Sequence, residues 1–534
     1  MKKSIWKRPG FYFSILTFLL AAFLIFELFK LAMLPDIIFL LLAVILFLTW
    51  LISAIALIKR PIALGWKILG WILAVTVALT GGVGGYVAYT GNNMLGNIST
   101  DEQGQNIVAL YVLDNGAIEK ESELAGRKVG ILKTLSEAAK TAMSDHLQDE
   151  NITIQTQEYD SVLKMAQDLK DQAIDGMILD PSYIGTLEDM EGMEKISSEI
   201  RELIKVSYDA PKAASTASSV DTASTPFTVY ISGVDSSGDE IASNSRSDVN
   251  LLATVNPQTH EVLLLSIPRD YYVETACDAS MGCMQGAMDK LTHTGLHGPE
   301  TTEMTLEKLF GIDINYNVRV NFTSLIRIVD ELGGITVQNP NDFVSTHGNY
   351  HFPAGSVDLN GNQALGFVRE RYSFTDGDRE RGRNEMRVLT ALIKKMASPA
   401  ILSNFAGVMN SLSDSFTTNM PEKDIKALAS SQLTNGGEWK IYSYSVTGTG
   451  GTDFAAELGD NAYVMYPDEQ SVSKAVEDIK AVLAGKEPPY TNDNDTDSAG
   501  SETTEQEEAP AEETPAEDPN AYYNEEAVDT FEGY

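Results

Sequence analysis

The chain has 534 residues, with 75 acidic against 39 basic side chains and a formal net charge of −36. That length allows two or three domains, and so acidic a balance excludes a general nucleic-acid binder, which needs a broad basic surface. Its two cysteines, Cys277 and Cys283 in C-D-A-S-M-G-C, lack a neighbouring Cys or His pair and form no zinc site; outside the cell they would close a small disulfide loop, and otherwise they are two unpaired thiols.

Residues 1–90 read as a membrane anchor. Three apolar runs, 11–29, 37–58 and 68–89, are each long enough to cross a hydrocarbon core of about 30 Å. Glu27 interrupts the first near its end, and three successive runs without a small-residue cleavage site are not a cleaved signal peptide. Lys2, Lys3, Lys7 and Arg8 precede the first run, and Lys59, Arg60 and Lys67 lie between the second and third. The loop between the first two holds only Lys30 and Asp36. The positive-inside rule then makes this a multi-pass cell-membrane protein with a cytoplasmic N-terminus and everything after about residue 90 extracellular.

Residues 105–208 read as a small α/β accessory domain outside the cell. Strands are expected at 107–113, 128–132, 152–156 and 176–179, with helices from Thr134 and over 161–174. Strands alternating with helices imply a mainly parallel sheet. The pattern resembles one lobe of a periplasmic solute-binding protein at the level of fold, and it shows no catalytic constellation. A structural or partner-binding module is the expectation. Residues 209–226, small and polar, read as a linker, or a long insertion loop, separating two domains.

Residues 227–485 read as the main, larger α/β domain. Strands are expected at 228–231, 249–255, 261–266, 316–322 and 439–445, and helices at 302–310, 325–332, 362–367, 381–397 and 471–483. From Thr491 to Tyr534 there are fifteen acids and no Lys, Arg or His, so residues 488–534 read as a disordered acidic tail.

Charged residues gather where strands emerge from the main domain. Asp235 ends I-S-G-V-D, Arg246 and Asp248 form S-R-S-D, and Arg269 and Asp270 close S-I-P-R-D. Arg369, Arg371, Arg379, Arg381 and Arg383 then fall within fifteen residues. Guanidinium groups grip phosphate through planar paired hydrogen bonds, and carboxylates at strand ends suit a hard cation such as Mg²⁺. Taken singly each residue has a plainer reading: Asp235 and Asp248 as turn caps, Arg269 with Asp270 as a surface ion pair, Lys290 as a solvated lysine. Arg369 and Arg371 would share one face if extended, and Arg379 and Arg383 would be solvated helix charges.

The stretches S-G-V-D, S-R-S-D, L-S-I-P-R-D, D-K-L-T-H, V-N-F, D-E-L-G-G-I-T-V, L-N-G-N-Q-A-L-G-F-V-R-E-R and D-G-D-R-E-R-G-R-N follow in order between residues 232 and 384. Together they resemble the LytR–CpsA–Psr family of cell-wall glycopolymer ligases. The three spans, the inserted module and C-x5-C are similar to its capsule-type, CpsA-like members. The resemblance implies an extracytoplasmic phosphotransferase that moves a glycopolymer, capsular polysaccharide on this layout, from a polyprenyl-diphosphate carrier to peptidoglycan, with pyrophosphatase as a side activity. It implies Mg²⁺ or Mn²⁺ at Asp235 and Asp248, and pyrophosphate held by Arg246, Arg269, Arg369, Arg371 and Arg381 with Asp378 orienting them. Asp235, Asp248 and Arg269 would be catalytic. Its partners would be the lipid-linked glycan, peptidoglycan, the membrane and the capsule-synthesis machinery, and no nucleic acid. One position departs from the pattern: Glu385 stands where members often carry Gln, and an ionised Glu cannot donate to phosphate. Glu385 would pair with Arg381, or Asn384 would serve instead. The alternative function is a non-catalytic membrane regulator or scaffold of capsule synthesis; a DNA-binding regulator would need the reverse topology.

Overall fold

The computed structural model describes residues 8–31, 36–59, 63–98, 106–209, 220–234, 244–278, 281–375, 377–402, 408, 412 and 415–490. The acidic tail beyond Tyr490 and the first half of the expected linker lie outside the described residues. Three apolar helices open the chain: α1 (Pro9–Leu31), α2 (Asp36–Ile58) and α3 (Leu64–Ile98). All three are long and apolar enough to cross a membrane.

Glycines let α3 approach α1 closely. A Cβ on Gly81 would lie 2.7 Å from the Leu20 carbonyl carbon, and one on Gly85 would lie 2.5 Å from the Phe23 ring. Small residues at such crossings allow backbone-to-backbone packing where lipid gives no hydrophobic drive. Gly81→Leu is therefore expected to destabilise the detergent-solubilised chain by on the order of 2 kcal/mol, read as a lower thermal midpoint. Gly82→Leu is the control, since its nearest neighbour is a Leu20 methyl at 4.0 Å, and it should leave the midpoint unchanged.

The accessory unit is a five-stranded sheet in the order β3-β2-β4-β1-β5, built from β1 (Asn106–Leu113), β2 (Lys128–Leu132), β3 (Gln155–Tyr159), β4 (Gly176–Leu179) and β5 (Ile200–Tyr208). Its helices are α4 (Glu137–Asp149), α5 (Val162–Lys170), α6 (Tyr183–Glu188) and α7 (Ile196–Glu199). The sheet is mixed, not mainly parallel as expected. β2 runs parallel to β3 and β4, but β1 opposes both β4 and β5. β5 escaped the pattern because I-R-E-L-I-K-V-S-Y interleaves charges along an edge strand with one wet face.

In the larger domain six strands form one sheet: Thr417–Thr418, then β11 (Tyr316–Asn321), β6 (Phe227–Val234), β7 (Ser247–Asn256), β8 (Glu261–Ile267) and finally Lys440–Ser445. β6 to β7 to β8 is an antiparallel meander, while β11 and Lys440–Ser445 add to it in parallel. The two-residue period of these strands separates two cores. Val229, Leu251, Val262 and Leu264 pack with Met386 on one face. Tyr230, Leu252, Leu263 and Leu265 meet Leu306, Phe310, Ile479 and Val482 on the other. The result is a three-layer α/β/α sandwich. One outer layer holds α12 (Asp378–Met396), and the opposite one holds α9 (Pro299–Phe310) and the helix Glu469–Leu483.

Two expectations need correction. The end of the supposed linker is docked, since Thr222 is buried and donates to the Asp424 carbonyl at 2.5 Å. A hairpin of Gly448–Ala455 with Asp460–Pro467 was not expected, because G-T-G-G-T carries no apolar alternation. This hairpin fastens the accessory unit to the larger domain. Ser161 Oγ donates to the Leu458 carbonyl at 2.7 Å, Tyr183 Oη donates to Glu457, and Ala455, Leu458 and Leu296 join the accessory core. Cys277 and Cys283 are joined by a disulfide, with Cα atoms 6.5 Å apart.

Candidate active site

At the carboxyl edge of the parallel strands, where open α/β sheets present ligand sites, lies an open cleft of about 600 Å³ counting the solvent at its mouth. The start of β7, the end of β8 and the end of Lys440–Ser445 form its floor. α12 forms a wall because Gly382 has no side chain; a Cβ there would lie 2.9 Å from Ser266 Oγ. That close approach brings Arg379, Arg381 and Glu385 to the cleft opposite Asp248, Arg269 and Asp270.

Arg269 is the hub. Its Nη1 lies 2.7 Å from Asp248 Oδ1, its Nη2 donates to Asp189 Oδ2 at 3.2 Å, and its Nε is 3.9 Å from Asp270 Oδ2. Burial works to lower the Arg269 pKa, but Asp248, Asp270 and Asp189 outweigh it and raise it, so the cation is permanent. Asp248 is fixed further by Thr292, whose hydroxyl donates to Oδ1 at 3.1 Å. Lys290 Nζ lies 3.2 Å from Asp270 Oδ1 and is buried, so the expectation of a solvated lysine fails. It heads α8 (Leu291–Thr294), carried there by the ribbon of β9 (Tyr272–Glu274) and β10 (Met288–Lys290).

The other sequence-derived residues divide. Arg246 is buried behind the cleft, donating to Asp189, with its Nη2 3.9 Å from Asp248 Oδ2. Arg381 lines the cleft and its Nε lies 3.6 Å from Glu385 Oε1, the first of the two arrangements expected for that departure. Asn384 is buried and turned inward, donating to the Phe367 carbonyl at 3.3 Å and accepting from Arg387 at 2.7 Å. Arg379 is exposed on α12, as a solvated helix charge would be, and from there it also lines the cleft. Arg383 instead pairs with Glu380 at 2.6 Å. Burial works to raise the Glu380 pKa, but Arg387 and Arg383 hold it below the usual carboxylate range.

Arg369 and Arg371 do not share an extended face. The side chain of Asn360 and that of Gln363 cap each other's backbone amides and start α11 (Gly361–Arg369), which runs through Arg369. Arg369 stacks over Phe322 at 4.4 Å and Arg371 over Tyr372 at 4.7 Å; both are exposed and neither lines the cleft. Asp235 and the side chain of Asp378 lie outside the described residues.

Sequence reasoning missed Asp189, which the accessory unit delivers to Arg246 and Arg269. No local signal marks it, since an acid in L-E-D-M-E-G is ordinary turn chemistry. The cleft suits a diphosphate with a divalent cation. Three guanidiniums already face three carboxylates along its lining, so added phosphate charge calls for added positive charge. The donors also match Mg²⁺, which takes one or two carboxylates plus waters and phosphate oxygens. Asp270 Oδ1 is buried and accepts no well-formed hydrogen bond among the described residues, while the described residues contain no group of three or more His, Cys, Asp or Glu able to hold a metal alone.

The LytR_cpsA_psr family profile matches residues 194–481. A relative from Enterococcus faecalis (strain ATCC 700802 / V583), named polyisoprenyl-teichoic acid–peptidoglycan teichoic acid transferase TagU, is 30% identical over 262 residues, covering 49% of this chain and 81% of its own. The protein of that name from Bacillus subtilis (strain 168) is 30% identical over 260 residues, covering 48% of this chain and 78% of its own. Among solved structures, B. subtilis TagV is 27% identical, covers 49% of this chain and 98% of its own, and gives a TM-score of 0.41.

Proposed function

The chain belongs to the LytR_cpsA_psr family, and on that premise we propose that it is a membrane-anchored transferase moving a glycopolymer from a polyprenyl-diphosphate carrier to peptidoglycan. The observation that carries this reading is the single cleft holding Asp248, Arg269 and Arg381 at the strand ends. In the proposed reaction a peptidoglycan hydroxyl attacks the phosphorus on the glycan side of the diphosphate. The bond to the lipid-side phosphate breaks, polyprenyl phosphate leaves, and a carboxylate, Asp235 or Asp248, takes the hydroxyl proton. Arg269 and Arg381 neutralise charge that develops on the phosphoryl oxygens, and their fixed ion pairs hold them in place before the reaction begins. Mg²⁺ or Mn²⁺, held by Asp248 with Asp235, would supply further charge neutralisation at the diphosphate. Phosphate on Arg369 and Arg371 would require a ligand reaching beyond the cleft to the end of α11.

The active domain is read as extracellular, from the basic residues before α1 and between α2 and α3. The glycopolymer is read as capsular polysaccharide from the capsule-type layout of three spans and inserted module, whereas the relatives are named for teichoic acid; assays should offer both donors. With the full chain in nanodiscs, lipid-linked glycan and peptidoglycan, transfer should vanish on chelation and return with Mg²⁺ or Mn²⁺. Asp248→Asn should lower it by about 10²-fold or more. A scaffold without chemistry is the better reading if Asp248→Asn attaches glycopolymer normally in cells while deletion of residues 105–208 abolishes attachment.

A further inference from the structure

The contact between the accessory unit and the arginines has its own chemistry. Asp189 follows α6 and reaches out of the accessory sheet onto two guanidiniums of the larger domain, Arg246 and Arg269. Resting on the reading of the cleft as a diphosphate site, we propose that the Asp189 carboxylate is an internal competitor for that site, standing between Arg246 and Arg269 where a substrate phosphate oxygen would otherwise bind.

The geometry matches the way paired guanidiniums hold a phosphate. One carboxylate oxygen, Oδ2, accepts from both arginines, as a single phosphoryl oxygen would. The exposures differ between the partners. The side chain of Arg269, in the cleft wall, is 21% exposed and that of Arg246 behind it 10%, whereas that of Asp189 is 53% exposed. Asp248 also meets Arg269, but it is 14% exposed and pinned by Thr292, so it is part of the wall.

Displacing Asp189 does not require the accessory unit to move. That unit is anchored elsewhere, through Ser161 to Leu458, Tyr183 to Glu457 and the shared apolar core. Rotation about the Asp189 side chain is enough to clear the arginines. Close approach of α6 is itself provided for: Gly185 faces Arg246, and a Cβ there would lie 3.1 Å from Nη2. Burial works to raise the Asp189 pKa, but the two guanidiniums outweigh it and hold the group ionised, so its charge opposes an incoming anion at any physiological pH.

The test uses the full chain in nanodiscs, titrated with inorganic pyrophosphate and assayed with lipid-linked glycan. Asp189→Asn keeps the shape and removes the charge. It should tighten pyrophosphate binding and lower KM, each by about fivefold, with kcat within about twofold. Asp189→Glu keeps the charge and should stay within about twofold of the parent in both. Pyrophosphate bound no tighter by Asp189→Asn, or more weakly, overturns the proposal and leaves Asp189 orienting the arginines. Arg269→Ala separates the two layers of inference. If it binds pyrophosphate as the parent does, the cleft is not the diphosphate site and the competitor falls with it.

Discussion

Arg269→Ala should lower kcat/KM for glycan transfer by about 10²- to 10³-fold, the range seen when a group aimed at developing charge is removed. The size of the effect follows from its contacts. Arg269 is the side chain that meets Asp248, Asp270 and Asp189 together, so its loss leaves only Arg246 and Lys290 to offset those three carboxylates and removes a cation from the cleft wall. Arg269→Lys restores one positive charge without the planar fork and should recover part of the loss in kcat with little recovery of affinity. Steady-state assays with the lipid-linked donor decide this, alongside a thermal midpoint that confirms each variant is folded. Activity within tenfold of the parent would remove Arg269 from the machinery.

The second large effect is on stability and comes from Glu303. This residue of α9 is 1% exposed; burial, with Glu300 beside it, raises its pKa to about 8, and the Asn317 side chain offsets only part of that. In the unfolded chain a Glu titrates at about 4.3. Between these values the native state holds a proton that the unfolded chain has released, so stability falls as pH rises through that window. The contribution is complete below about pH 4 and lost above about pH 8. Glu303→Gln makes the group permanently neutral with the same shape. It should flatten the decline and raise stability at pH 9 by on the order of a few kcal/mol, with little gain at pH 4. Thermal midpoints of parent and variant between pH 5 and 9 measure this; parallel curves would mean that another group carries the dependence.

Legibility in the sequence followed the range of the interactions. The three apolar helices and the strands β7 and β8 are visible because burial imposes a local period. The Gly448–Ala455 hairpin was hidden because its glycines and threonines gain their order from tertiary contact. Within the cleft, Asp248, Arg269 and Arg381 were readable from motifs at strand and helix ends. Asp189 was not, because it lies 57 residues from Arg246 and 80 from Arg269, and nothing in its own segment refers to either. Lys290 was misjudged because a lysine's burial depends on what folds over it, here Asp270 across the ribbon. Arg369 and Arg371 would share one face only in extended backbone, and a capped helix runs through Arg369 instead, so that alternation was not there to be read.

Leu28, near the end of α1, packs against the apolar cluster formed by Val329, Phe343, Phe367 and Leu392, and Lys426 Nζ lies 3.5 Å from the Lys30 carbonyl. The larger domain therefore rests directly on α1. For an enzyme drawing a lipid-carried donor, encounter becomes a search in two dimensions, with lateral diffusion in the leaflet setting the supply. On the proposed reading it also limits reach: only wall strands that come within one domain's thickness of the bilayer could be acceptors, which would favour newly made glycan still close to the membrane over mature outer layers.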